Sequence, residues 1–176
     1  MVGNAGWFIR RKRFNVFLNV AAQVAQRESR SVFAIAGGGE EEPQLRKLAE
    51  ELGIGEKVRW LGWLDDLSGF RDSLDVLLFN SDWDALGLTP HESVARGVPL
   101  VTSVVNGVLR EVLDDETGSR VLEDHNVDEL AHQILAMRHD PPHARASAER
   151  CREHLLRLTN PATIAEAYFE LLQIHP

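Results

Sequence analysis

Short apolar runs of strand length alternate along the chain with longer stretches of helical period. The runs are MVGNAG, SVFAIAG, KVRWLGW, DVLLFN, PLVTS and SRVL, and between them FNVFLNVAAQVAQ, PQLRKLAEELG, DLSGFRDS and HESVARG carry helical patterning. Strands separated by helices pair in parallel through right-handed crossovers. The pattern therefore predicts an α/β fold, a doubly wound parallel sheet of about six strands with helices on both faces. Residues 1–140 hold this α/β core and residues 141–176 are C-terminal helices. VDELAHQILAMRHD reads as one amphipathic helix, and Pro141 and Pro142 break it. HARASAERCREHLLRL is a second helix, and NPATIAEAYFELLQI a third, with Asn160 as its cap and Pro161 at the first helical position. No repeat, low-complexity tract or long linker divides the chain, so residues 1–176 read as a single domain.

Composition narrows the function classes. With 44% hydrophobic residues in a chain of 176, a sizeable core is within reach. The longest apolar stretches fall far short of the ~20 residues that span a bilayer, and the N-terminus has no apolar segment ending in a small-residue cleavage site, so a soluble, cytoplasmic protein is expected. The 19 basic and 27 acidic residues leave a net charge of -8, which argues against a nucleic-acid or anionic-membrane binder. RRKR at positions 10–13 is the local exception. Cys151, the single cysteine, sits in a helical pattern and reads as a packing residue.

Ligands of doubly wound sheets bind beyond the carboxyl ends of the strands, so the loops after strands carry the search. These are GNAGWFIRRKR, AGGGEEEP, LGWLDD, NSDWDALGLTPHE and SVVNGVLRE. AGGGEEEP lacks the G-x-G-x-x-G spacing of a dinucleotide loop and sets three glutamates where a dianion would approach, so it reads as a tight turn. The histidines form no metal-ligand spacing: HES has no second histidine, and the proline pair separates His139 from His143. No metal site is expected.

The loop SDWDALGLTPHE raises a sharper question. Asp84 and Glu92 flank Gly87 at the mouth of a helix, a place that attracts anions because its first amides are unpaired and its dipole is positive. Thr89, Pro90 and Glu92 also spell a capping box, which accounts for Glu92 alone. A ligand with both phosphate and hydroxyl groups accounts for all of it. Amides near Gly87 and Leu88 take the phosphate, and the acceptor-only carboxylates take hydrogen bonds from hydroxyls. Sugar nucleotides have that composition.

DALGLTPHESVARGVPLVTS, followed by NGVLREVLDDETGSRVLEDHNVDELAHQI, resembles the donor-binding, C-terminal half of the retaining GT-B glycosyltransferases of glycosyltransferase family four, the group 1 glycosyl transferases. That family's hallmark is a glutamate, seven residues and a second glutamate, in a pattern like E-G-F-G-L-x-x-x-E-A-x-A-x-G-x-P-V-V. GWFIRRKRFNVFLNVAA is similar to the family's first loop and helix, and VFAIAGGGEEEPQLRKLAEELGIGEKVRWLGWLDD to its second and third strands. The resemblance covers nearly the whole chain and implies a Rossmann-like domain that binds a nucleoside-diphosphate sugar such as a UDP or GDP sugar. It implies catalytic roles for Lys12, Asp84 and Glu92. Glu92 would accept from the ribose, Asp84 would contact hydroxyls of the transferred hexose, and Lys12 would face the diphosphate, with Arg10 placed to assist it although the family pattern does not require that arginine. Gly87 and Leu88 would offer amides to the distal phosphate, while Gly62, Trp63 and Leu64 would lie against the nucleobase. It further implies transfer of the hexose to an acceptor hydroxyl with retention and without a metal or other cofactor. The N-terminal, acceptor-binding domain would be absent from this chain, on the same gene or a separate one, and any membrane contact would run through it. The isolated chain would then be inactive.

Two positions depart from the family pattern: Asp84 replaces the first glutamate, one methylene shorter, and Trp7 replaces an arginine after Gly6. They motivate an alternative, a catalytically silent domain that binds sugar nucleotides or serves as a scaffold. A glycosidase with Asp84 and Glu92 as its acid and nucleophile would need one carboxyl kept protonated, which a positive helix end opposes.

Overall fold

A computed structural model of the chain describes residues 1–103, 120–122 and 124–174. Most of SVVNGVLRE and of the stretch leading to VLEDHN lies outside the described residues. Six strands form one sheet: β1 (Val2–Trp7), β2 (Phe33–Gly38), β3 (Val58–Gly62), β4 (Val76–Phe79), β5 (Leu100–Ser103) and β6 (Arg120–Leu122). Their order is β3-β2-β1-β4-β5-β6, and the pairs are parallel. The chain steps outward from β1 to β3 and returns to the middle with β4. Strand order thus reverses between β1 and β4, and the switch point lies beyond their carboxyl ends.

Among the described residues the helices are α1 (Phe14–Arg27), α2 (Glu42–Glu51), α3 (Ser68–Asp72), α4 (Leu88–Ala95), α5 (Val127–His139), α6 (Pro141–Leu158) and α7 (Pro161–Ile174). Strand alternation sends Val76 and Leu78 into one core and Leu77 and Phe79 into the other. On the first face Phe17 and Leu18 of α1 and Leu130 and Ile134 of α5 pack with Ile35, Leu78 and Val101. On the second, Phe70 of α3, Val94 of α4 and Cys151 and Leu155 of α6 pack with Ala34, Leu77 and Leu100. Both faces are covered, so the strands read as apolar runs.

The C-terminal segment differs from the sequence expectation in one respect. Pro141 and Pro142 open α6 at its first positions, where a missing N–H costs nothing, and Asp140 Oδ1 accepts from the His143 amide at 3.1 Å. Through Ala144, Cys151 and Leu155, α6 belongs to the packed body. Asn160 does open α7, its Oδ1 accepting from the Ala162 amide at 2.9 Å. α7 leaves Tyr168, Phe169, Leu171 and Leu172 exposed.

AGGGEEEP is a close-packed turn. Gly37 has φ 136°, and a Cβ there would stand 1.9 Å from the Gly6 carbonyl oxygen. The glycine permits close backbone approach between β2 and the end of β1.

Candidate functional site

At the switch point the loop after β1 meets the loop after β4. A short 3-10 turn, Arg10–Lys12, precedes α1. Lys12 Nζ forms an ion pair with Asp84 Oδ2, and both side chains are mostly buried. Asp84 Oδ1 accepts from the Gly87 amide at 3.1 Å. Burial pushes the Asp84 carboxyl up, but Lys12, the Gly87 amide and Arg11 outweigh it and hold the carboxyl below the usual carboxylate range. The group is a fixed anion.

Around this pair lies a cleft of ≈ 440 Å³. Lys12, Trp63, Leu64, Asp84 and Leu88 line it, as does Trp7. The Trp7 and Trp63 rings lie 5.0 Å apart, with 59% and 60% of each residue exposed. Gly62, with φ 67°, turns the chain out of β3 to present Trp63 but is not itself part of the lining. Arg10 is exposed and also outside the lining.

The mouth of α4 departs from the capping-box expectation. The helix starts at Leu88, behind Gly87 in the left-handed conformation (φ 59°, ψ 53°), and no side chain caps it. The turn at Gly87 brings the chain into the helix before Thr89, so Thr89 cannot act as cap. Its hydroxyl donates instead to the Ala5 carbonyl at 3.4 Å, tying α4 to β1. The amides of Leu88 and Thr89 are first-turn donors without intrahelical acceptors, and both residues line the cleft.

Glu92 is where the expected pairing of carboxylates fails. It does not line the cleft that Asp84 lines. Its Oε2 pairs with Arg71 of α3, a residue with 7% exposure whose Nε is buried without a hydrogen-bond partner among the described residues. Glu92 borders a separate apolar groove with Leu86, Leu88, His91, Leu155 and Leu156. A buried guanidinium needs a counter-charge, and Glu92, one turn into α4 and facing α3, supplies one.

Sequence reading missed a second layer. Arg13 Nε donates to Asp82 at 2.7 Å, Asp82 Oδ1 also meets His125 Nε2 at 2.8 Å, and His125 Nδ1 meets Ser103 Oγ at 2.7 Å. Burial raises the Asp82 pKa, and Arg13 and His125 outweigh it, leaving the group below its ordinary value. The signal for Asp82 was its place in SDWD; Arg13 and His125 come to it from two other segments.

Residues 1–154 match the Glycosyl transferases group 1 family. The chain belongs to the group 1 glycosyl transferases. It is 31% identical to the lipopolysaccharide core biosynthesis glycosyltransferase LpsE of Rhizobium meliloti (strain 1021), over 100% of this chain and 50% of that protein. It is 27% identical to LpsD of the same organism, over 97% of this chain and 48% of that one. This group 1 glycosyl transferase chain thus spans about half the length of these relatives. Among solved structures it superposes on Staphylococcus aureus TarM, solved with fondaparinux, alpha-GlcNAc-glycerol and UDP, with TM-score 0.89 and 20% identity, over 97% of this chain and 34% of TarM. Anabaena HepE in complex with UDP gives TM-score 0.85 and 18% identity, over 98% of this chain and 48% of HepE. These likenesses establish the Rossmann-like GT-B fold of the group 1 glycosyl transferases. Among the described residues no helix is long and apolar enough to cross a membrane.

Proposed function

We propose that this chain is the donor-binding half of a retaining hexosyltransferase of glycosyltransferase family four, acting on a nucleoside-diphosphate sugar. The observation that carries the reading is the Lys12–Asp84 pair, set beside the free amides of α4 in one cleft at the switch point. Asp84 receives two donors that the resemblance assigns to the diphosphate, the Lys12 ammonium and the Gly87 amide. Its carboxylate stands where a phosphate anion would stand.

Donor binding is then an exchange of partners. The diphosphate takes Lys12 and the amides of Gly87, Leu88 and Thr89, and the released Asp84 carboxylate accepts hydrogen bonds from hexose hydroxyls. As the bond from the anomeric carbon to the phosphate oxygen breaks, negative charge grows on the diphosphate, and the cation and helix N-terminus are already aimed at it. The base lies against Trp63 and Leu64; the acceptor hydroxyl oxygen bonds the anomeric carbon on the face the diphosphate leaves, so configuration is retained, and its proton passes to a departing diphosphate oxygen. No metal or other cofactor enters this scheme. Arg10 reaches the diphosphate, and Glu92 the ribose, only by turning their side chains toward the cleft.

Two observations support an enzyme of two halves: the relatives are about twice as long, and α7 leaves an apolar face uncovered. The acceptor site and any membrane contact then belong to the other half. Calorimetric titration with UDP, the nucleotide present in the TarM and HepE structures, and with GDP tests the donor assignment; no heat of binding from either at millimolar concentration would refute it. The Arg71–Glu92 pair favours a second reading, a domain that binds sugar nucleotides without turnover, because the ribose carboxylate is committed elsewhere. Transfer to an acceptor after recombination with an N-terminal half would end that reading.

A further inference from the structure

Arg13 is the one non-glycine residue with positive φ among those described, at φ 50° and ψ 40°. Such a conformation is unfavourable for a side chain with a Cβ and persists only where its surroundings impose it. The surroundings are specific. The Arg13 carbonyl accepts from Asn80 Nδ2 at 2.5 Å, and Asn80 Oδ1 is held in turn by Asn4 Nδ2 at 3.2 Å. The Arg13 guanidinium is held by Asp82, whose two oxygens both lie 2.7 Å from Nε. Two residues earlier in the loop, the Arg11 carbonyl accepts from the Asp82 amide at 2.7 Å and from Ser81 Oγ at 3.2 Å. Both neighbours of Lys12 are therefore pinned by the same short segment after β4, and Lys12 has no freedom of backbone placement of its own.

The remaining contacts anchor that segment. His125, just before α5, bridges Asp82 to Ser103 at the end of β5. Ser103, His125 and Asp82 are connected in the order of a hydrolytic triad, yet Ser103 is fully buried and the carboxylate is already paired with Arg13, so the set has no exposed nucleophile. None of Arg13, Asp82 and His125 lines the cleft.

We infer that Asp82, braced by His125, is a positioning residue: its carboxylate holds Arg13 in the left-handed turn that aims Lys12 into the cleft. The inference rests on the reading of Lys12 as the cation of the distal phosphate. Since UMP lacks that phosphate, the ratio of UDP to UMP affinity reads the placement of Lys12 separately from overall stability.

The experiment titrates UDP and UMP into the chain and four variants, with thermal midpoints measured alongside. Lys12→Ala establishes the full loss of the ratio. Asp82→Asn is expected to lower the ratio about five- to tenfold with UMP binding little changed, as a turn whose strain is no longer held would do. Arg13→Gly in the Asp82→Asn background restores the ratio, because glycine adopts the turn without strain even though the ion pair is gone. Arg13→Gly alone keeps the wild-type ratio, and this variant serves where Asp82→Asn does not fold. A stability role alone would lower the thermal midpoint in Asp82→Asn and leave the ratio unmoved; that result, or a lowered ratio in Arg13→Gly alone, overturns the inference. If Lys12→Ala itself leaves the ratio unchanged, the donor reading fails and the inference goes with it.

Discussion

Lys12 and Asp84 join the loop after β1 to the loop after β4 through an ion pair at the point where the strand order reverses. On the proposed reading of donor binding, the pair sets a carboxylate of the protein's own at the phosphate site. A nucleoside diphosphate bound there would displace that carboxylate, and this competition would make Asp84 a two-sided residue.

Asp84→Ala is expected to leave bare UDP bound as well or more tightly, since the competing anion is gone, and to remove the extra affinity of hexose-bearing nucleotides. Losing the partner of a partly buried lysine costs about 1–2 kcal/mol of stability, between the values for exposed and buried pairs. Calorimetry on matched nucleotides and a thermal melt measure the two effects.

Acid should weaken the fold through the same groups. Asp82 and Asp84 have lowered carboxyl pKa values in the folded protein, so their contribution is present above the ordinary aspartate range near ~4 and is lost as pH falls through the lower folded values. Chemical denaturation between pH 6 and pH 2 (roughly the span of carboxyl titration) should show a steeper fall for the wild type than for Asp84→Asn.

Glu92→Gln removes the counter-charge of a buried guanidinium and is expected to destabilise the chain by about 1–3 kcal/mol. Arg71→Met releases Glu92 instead. If the ribose hydroxyls take Glu92, Arg71→Met should bind every ribonucleotide more tightly than the wild type; equal affinities in a titration would count against that role.

Trp63→Ala should weaken all nucleotides by about 1–3 kcal/mol, the range for one base–aromatic stack. Trp7→Arg restores a guanidinium beside the cleft and should favour UDP over uridine, which a comparison of the two ligands by tryptophan fluorescence will detect.

Gly37→Ala should be among the most damaging single changes, at roughly 3 kcal/mol or more, because the new methyl meets a backbone oxygen that has nowhere to move. Denaturant unfolding measures it.

Much of this protein was legible along the chain. Apolar runs of strand length between helical stretches specify a parallel sheet because each run must be buried on both faces, and Leu77 and Leu78 are buried in opposite cores. GLTP announced a helix mouth, and RRKR the cations near it. Periodicity and residue type are local properties, and these features depend on nothing else.

Partnership is not local, and there the chain was silent. Helical spacing fits Glu92 to a cap on its own helix, yet the packing of α3 against α4 delivers a buried Arg71 that needs the charge more. Asp82 sits next to Trp83 in sequence but is defined by Arg13, from the loop after β1, and by His125, before α5. Which carboxylate meets which cation is decided by the order in which the sheet places its strands side by side, and by the few ångströms over which a charge finds its partner.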